Sequence, residues 1–175
     1  METAFFETAL GIFGIGWTEA GVARLQLPGL DPDQMAERLG PGDGVPDRAI
    51  SRIIDRIEDY CDGEAVDFSD TPLDLNGLSP FQRRAYALLL DIGWGETTTY
   101  GALARQLGDV TLSRAVGAAM GANPIPLIIP CHRVLASDGR PGGFSAPGGA
   151  LSKLRMLALE GISVGVPAGQ MSFGF

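Results

Sequence analysis

The chain has 175 residues, 45% of them hydrophobic and 19% charged, which suits one medium domain or two small ones and excludes a disordered chain. Two cysteines and a single histidine are too few for a disulfide framework or a structural zinc; no metal dependence is expected, and the cysteines fit a reducing cytosol. The net charge of −8 argues against a nucleic-acid partner until its distribution is read: residues 1–96 carry 7 basic and 18 acidic groups, whereas residues 97–160 carry 6 basic and 3 acidic.

Phe5 to Pro28 reads as two or three short strands. The apolar run Leu10–Trp17, the turn Thr18–Gly21 and the alternating stretch Val22–Leu27 predict a hairpin or small meander. The run Ala9–Trp17 is too short to span a bilayer and is flanked by Glu2 and Glu7, so neither a signal peptide nor a membrane span is expected. Asp31–Leu39 predicts a short helix, with Asp31 as N-cap and Pro32 in the first position. After a Gly/Pro loop, Asp47–Cys61 predicts a second helix with Ile50, Ile53, Ile54 and Ile57 on one face. Its carboxylates Asp55, Glu58, Asp59 and Asp62 fall on other faces and read as solvated, and Cys61 reads as structural. Val66–Asn76 reads as extended. Gly77 then breaks the chain, which places a boundary between residues 1–77 and 78–175.

From Ser79 the pattern is helical. Ser79-Pro80 starts a helix running from Phe81 to Ile92, with Phe81, Ala85, Leu88 and Leu89 on one face. A second helix spans Tyr100–Leu107. A third runs from Leu112 to about Gly121, with Thr111 or Ser113 as its cap, and the pair suggests a helix-turn-helix. Ser113–Ala122 is built mostly of small residues with one early Arg114. Such a helix suits close approach to a partner, or close packing inside its own domain, equally well.

Pro126–Ile129 is apolar and strand-like. Pro130 stops it and leaves Cys131 at its end, next to His132. A thiol becomes a strong nucleophile only as thiolate. Neighbours on a strand point to opposite faces, so contact between Cys131 and His132 requires a tight turn or a bridging water. Ser137–Gly149 is a Gly/Pro loop around Phe144 and Ser145, suited to a lid or pocket wall. Ala150–Glu160 is the last helix, with Leu151, Leu154, Leu157 and Ala158 expected inside, Lys153 and Arg155 elsewhere, and Glu160 at its end. The tail from Ile162 is apolar and Gly-rich, with no assignable role.

Pro-Cys-His-Arg-Val at 130–134, Asn123-Pro124 and Arg114-Ala-Val-Gly117 resemble the O6-alkylguanine-DNA alkyltransferases. So do Ser79-Pro-Phe-Gln82, Gly95-Glu-Thr97 with Tyr100-Gly101, and Leu-Ala-Leu-Glu-Gly at 157–161. The resemblance covers about residues 79–161. It implies irreversible transfer of an alkyl group from O6 of guanine, and from O4 of alkylated thymine, to Cys131, with the base rotated out of the duplex. By the same resemblance, Glu160 orients His132, His132 takes the thiol proton through a water, Tyr100 protonates the departing guanine, and Asn123 holds the active-site turn. Thr99, Tyr100, Ser113, Arg114, Ala115, Gly117, Ala118, Met120 and Arg133 would meet DNA, with Arg114 in the gap left by the flipped base. Pro126, Val134, Phe144 and Ser145 would line the pocket.

The expected fold is α+β, a small N-terminal antiparallel sheet and helix domain packed on a helical C-terminal domain. The expected protein is a cytoplasmic, nucleoid-associated monomer that needs no cofactor and acts on double-stranded DNA containing O6-alkylguanine. Two other readings stay open. One is a non-catalytic sensor of alkylated DNA or helix-turn-helix regulator, which would leave Cys131 unmodified. The other is a cysteine hydrolase built on Cys131, His132 and Glu160, which would turn over an acyl substrate.

Overall fold

The computed structural model describes residues 1–164, so most of the tail that begins at Ile162 lies outside the described residues. Three strands, β1 (Glu2–Thr8), β2 (Gly11–Thr18) and β3 (Gly21–Gln26), form an antiparallel meander in chain order. β1 starts at Glu2, earlier than expected, because pairing with β2 runs in register from Glu2↔Trp17 to Thr8↔Gly11. Gly21 turns β2 into β3 at φ +132°, and a Cβ there would collide with the Pro72 carbonyl oxygen.

Two helices complete this half. In α1 (Pro32–Leu39), the Asp31 carboxylate accepts from the Gln34 N–H (2.9 Å) and the Gln34 side chain accepts from the Asp31 N–H (3.2 Å), a reciprocal cap. In α2 (Arg48–Cys61), one Asp47 oxygen accepts from Ala49 and Ile50 at 2.9 Å. Ile50, Ile53 and Ile57 are buried as expected, Ile54 is half-buried, and Tyr60 and Cys61 extend the inward face. The following segment does not form the expected extended run. Asp67 and Asp74 accept from the N–H groups two residues on, and these local turns compete with a ladder. Only Leu73 bridges to Val22 of the sheet.

The other half is helical. α3 (Pro80–Leu90) is capped by Ser79 and Gln82 but ends before Ile92, whose N–H closes a turn onto Leu89. α4 (Tyr100–Leu107) and α5 (Ser113–Gly121) pack through a single 3-10 turn, Val110–Leu112. Neither Thr111 nor Ser113 caps α5. The Asp109 carboxylate accepts from the Thr111 N–H (2.7 Å), and the Ser113 hydroxyl donates to the Val110 carbonyl (2.6 Å). A two-residue parallel pair, β4 (Thr98–Thr99) with β5 (Val134–Leu135), ties the start of α4 to the Pro-Cys-His-Arg segment. Elements this short leave no periodicity to read.

In α6 (Ala150–Leu159) Leu157 is buried as expected, but the rest of the buried face is rotated: Lys153 and Met156 join it, while Leu151 and Ala158 are exposed and Leu154 is half-buried. One apolar core runs through both halves, from Ile15 and Ile57 to Ile128 and Met156. The Leu25 N–H on β3 donates to the Pro124 carbonyl (2.9 Å), so the sheet also braces the turn before Cys131. The architecture is α+β, a three-stranded sheet with two helices packed on a helical half containing a helix-turn-helix. Among the described residues no helix is long and apolar enough to cross a membrane.

Candidate active site

Asn123 organises the segment that carries Cys131. Its Nδ2 donates to the Ile129 carbonyl (2.8 Å) and its Oδ1 accepts from the Ile125 N–H (3.0 Å). The Ile129 N–H in turn donates to the Ile125 carbonyl (2.9 Å). Pro126–Ile129 is therefore a closed turn rather than the expected strand. Leu127 sits at φ +77°, the only non-glycine residue at positive φ among the described residues. Pro130 leads into a 3-10 turn, Cys131–Arg133, which replaces strand alternation and keeps both Cys131 and His132 inside.

Cys131 is 3% exposed and His132 fully buried. His132 Nε2 lies 2.6 Å from Glu160 Oε1. A carboxylate can only accept, so Nε2 carries the proton and Nδ1 keeps its lone pair. That Nδ1 is buried and has no hydrogen-bond partner in the protein. Glu160 also accepts from the Tyr60 hydroxyl (2.8 Å) and from Arg133 Nε (2.9 Å) and Nη2 (3.1 Å). Burial alone would raise the Glu160 pKa, but the donors on His132 and Arg133 outweigh it and hold the group at about 2. Burial pushes His132 below its ordinary value, with Glu160 opposing, and the imidazole rests neutral at pH 7. Burial pushes the Cys131 thiol up, against Asn123 and Lys153, so it rests protonated. At rest the turn holds a protonated thiol and a neutral imidazole on successive residues, with an ionised, hydrogen-bonded carboxylate against the imidazole.

Lys153 is the group the sequence pattern missed. It is fully buried, its Nζ donates to the Val134 carbonyl (2.6 Å) and sits 5.8 Å from the Tyr100 ring centroid. Burial lowers its pKa to about 8, with Cys131 pulling the other way. At pH 7 it remains mostly a cation that favours a thiolate at Cys131. Tyr60 was missed too, because it belongs to α2 in the other half of the chain. The signal for both was weak: each occupies a helix position where a polar atom must be satisfied once buried.

Two concavities meet at Cys131. The first, about 540 Å³, is bounded by Tyr100, Ser113, Gly117, Met120 and the loop residues Gly143–Ser145. The second, about 420 Å³, lies on the N-terminal side and shares Met120, Gly121, Phe144 and Ser145 with the first. Between them the Ser145 hydroxyl donates to the Gly121 carbonyl (2.8 Å). Gly142 presses this loop onto Tyr100: a Cβ at Gly142 would meet the Tyr100 ring at 3.2 Å. Burial, then Cys131, pushes the Tyr100 pKa up, so it is a proton donor at neutral pH.

The outer face of α5 resolves the choice left open by its small residues. Arg114, Ala115 and Ala118 are exposed, and a Cβ added at Gly117 or Gly121 would meet nothing within 4 Å. Internal packing therefore does not demand small residues on this face. Val116, Ala119 and Met120 supply the buried side instead. Thr99 caps α4 by accepting from the Ala102 N–H (3.1 Å) and is half-buried.

Two expected site residues lie elsewhere. Arg133 does not face outward. It is buried, paired with Glu160 and donating to the Ile92 carbonyl, because an ionised Glu160 at this depth needs a cation beside it. Val134 is fully buried and borders neither concavity at Cys131; its carbonyl is the acceptor for Lys153. Pro126 borders the second concavity, and Phe144 and Ser145 border both.

Residues 80–162 match the family model described as 6-O-methylguanine DNA methyltransferase, DNA binding domain. The chain is 37% identical over 152 residues to the methylated-DNA–protein-cysteine methyltransferase of Methanothermobacter thermautotrophicus, covering 86% of this chain and 80% of that one. It is 40% identical over 145 residues to a DNA base-flipping protein of Thermus thermophilus, covering 82% of this chain and 96% of the relative. The crystal structure of Mycobacterium tuberculosis OGT in complex with DNA superposes with a TM-score of 0.74 at 32% identity, over 92% of this chain and 93% of that one.

Proposed function

From the premise that this chain belongs to the methylated-DNA–protein-cysteine methyltransferases, we propose that it repairs O6-alkylguanine in double-stranded DNA by moving the alkyl group onto Cys131, once per molecule. The observation that carries this reading is a buried thiol at the meeting point of two concavities, followed in the same 3-10 turn by an imidazole whose Nε2 is fixed by Glu160 and whose Nδ1 has no partner. This is a nucleophile, a base and a group that orients the base.

The target atom is inaccessible in a stacked duplex, so the nucleotide rotates out into the 540 Å³ concavity. The small outer face of α5 lets the helix lie against the groove, and Arg114 occupies the gap. Ser113, Ala115, Gly117 and Ala118 line that approach, with Met120 at its inner edge. His132 Nδ1 takes the thiol proton through a water, and Lys153 favours the thiolate that forms. The sulfur–carbon bond forms as the carbon–O6 bond breaks. Tyr100 gives the guanine its proton and is reprotonated at the expense of the His132 imidazolium, so the net exchange is the thiol proton for the alkyl group. The thioether is not hydrolysed, so no step restores Cys131. O4-alkylthymine offers the same alkyl–oxygen bond and is proposed as a second substrate. The protein acts as a monomer, and residues 1–77 and 78–175 are its two domains.

The test is intact-protein mass after incubation with a duplex containing O6-methylguanine, with Cys131→Ser as control. One added methyl, absent in the variant and accompanied by unmodified guanine in the DNA, is expected. Tight binding with no mass change would instead favour a sensor, the reading suggested by the base-flipping relative. Turnover of an acyl substrate would point to a hydrolase.

A further inference from the structure

The second concavity at Cys131 has no part in the steps above. Cys131 borders it, and so do Arg24 of β3 and Arg38 in the last turn of α1. Both guanidiniums are exposed, and among the described residues neither forms an ion pair or a side-chain hydrogen bond. Their placement is notable because residues 1–96 carry 18 acidic groups against 7 basic. Two of those few cations border the same cavity. The rest of its wall mixes apolar side chains, including Leu39, Pro124, Pro126 and Ala146, with the polar Gln26, Asn123 and Ser145. The first concavity is bordered by no arginine or lysine. The two are separated by Phe144 and by the Ser145–Gly121 hydrogen bond, on an exposed loop.

We propose that this concavity is a subsite for the substituent on the damaged base, and that it selects extended O6-alkyl chains ending in a carboxylate. The proposal rests on the alkyl-transfer reading. The guanine occupies the first concavity and the reacting carbon meets the Cys131 sulfur. The remainder of the chain passes Phe144 along the side chains of Pro126, Pro124 and Leu39, and its carboxylate meets Arg24 and Arg38. Guanidinium and carboxylate match in charge and in bidentate geometry. The transfer is the same as for a methyl group. The sulfur–carbon bond forms and the carbon–O6 bond breaks, the thiol proton replaces the alkyl group on guanine, and the carboxylate leaves with the chain as part of the thioether. A methyl group carries no carboxylate for the arginines to meet, so its transfer does not depend on them.

The experiment measures single-turnover rates of adduct formation, by intact mass, on duplexes containing O6-methylguanine, O6-pentylguanine or O6-(4-carboxybutyl)guanine. The full chain is compared with the doubly substituted Arg24→Gln, Arg38→Gln protein. A charge-assisted contact predicts that the variant slows carboxybutyl transfer by roughly tenfold or more and leaves methyl and pentyl transfer within about twofold. Equal slowing on all three substrates would place the arginines on the DNA backbone and overturn the subsite. Unchanged carboxybutyl transfer would overturn it too. Absence of methyl transfer by the unsubstituted protein would instead remove the alkyl-transfer reading itself.

Discussion

Glu160 carries one charge and receives four hydrogen bonds, from His132, Tyr60 and Arg133, all within the interior. Removing that charge leaves Arg133 buried without its counter-ion. Glu160→Gln is expected to lose about 3–5 kcal/mol in denaturant unfolding and most of its transfer activity. Tyr60→Phe removes a single donor and is expected to lose only about 1 kcal/mol, with transfer slowed severalfold. A transfer rate unchanged in Tyr60→Phe would mean that the hydroxyl serves packing alone. The pH response follows from the same groups. His132 has its folded pKa lowered below 6.5, so the unfolded chain takes up its proton first, and stability falls as pH drops below 6.5. Glu160 is held at about 2 against an ordinary 4.5, so its contribution is complete above 4.5 and is lost as pH falls from there towards 2. The transfer rate should still hold its plateau at pH 6.5, because burial keeps the imidazole neutral at its ordinary midpoint. A rate that halves at pH 6.5 would contradict a depressed His132.

Among the elements, α5 separates the demands of folding from those of binding. Gly117→Leu places a side chain in open space, so thermal unfolding should move little while affinity for duplex DNA falls at least about tenfold. A large drop in melting temperature would show that Gly117 is held small for internal reasons. Capping was legible at Asp31 and Ser79, where a proline follows the capping oxygen, whereas Asp47, read as the first residue of its helix, is the cap of α2. Capping was misread before α5, where the 3-10 turn shifts the acceptor back to Asp109. The rotated face of α6 has a related cause. Reading apolar spacing sends Lys153 outward, but a long amine can be buried when a carbonyl and an aromatic face meet it. Cys131 and His132 stood out from the residues themselves, whereas Glu160 and Asn123 were named only through the family resemblance. The turn that delivers Cys131 was not legible, because the Asn123 side chain closes it from outside the run.

At the scale of the whole molecule, the two halves share one core and one hydrogen-bonded centre. Tyr60 reaches Glu160 from α2, and Leu25 on β3 holds the Pro124 carbonyl. The two domains proposed at residues 1–77 and 78–175 are therefore expected to unfold together, in one transition seen alike by far-ultraviolet and near-ultraviolet dichroism. Separate transitions would mean that the shared core is not cooperative. The same arrangement explains why a strongly acidic first half is compatible with DNA. It supports the turn from behind, while the exposed outer face of α5 belongs to the second half.

The burial of Cys131 has a consequence for storage. A reagent consumed in one event must survive until its target arrives, amid oxidants and electrophiles that attack thiolates. Resting as a protonated thiol with almost no exposed surface, Cys131 is kept inert towards them. Under the proposed alkyl transfer its partner is a molecule that fits the cavity, so shelf life and selectivity would both follow from the same closed interior.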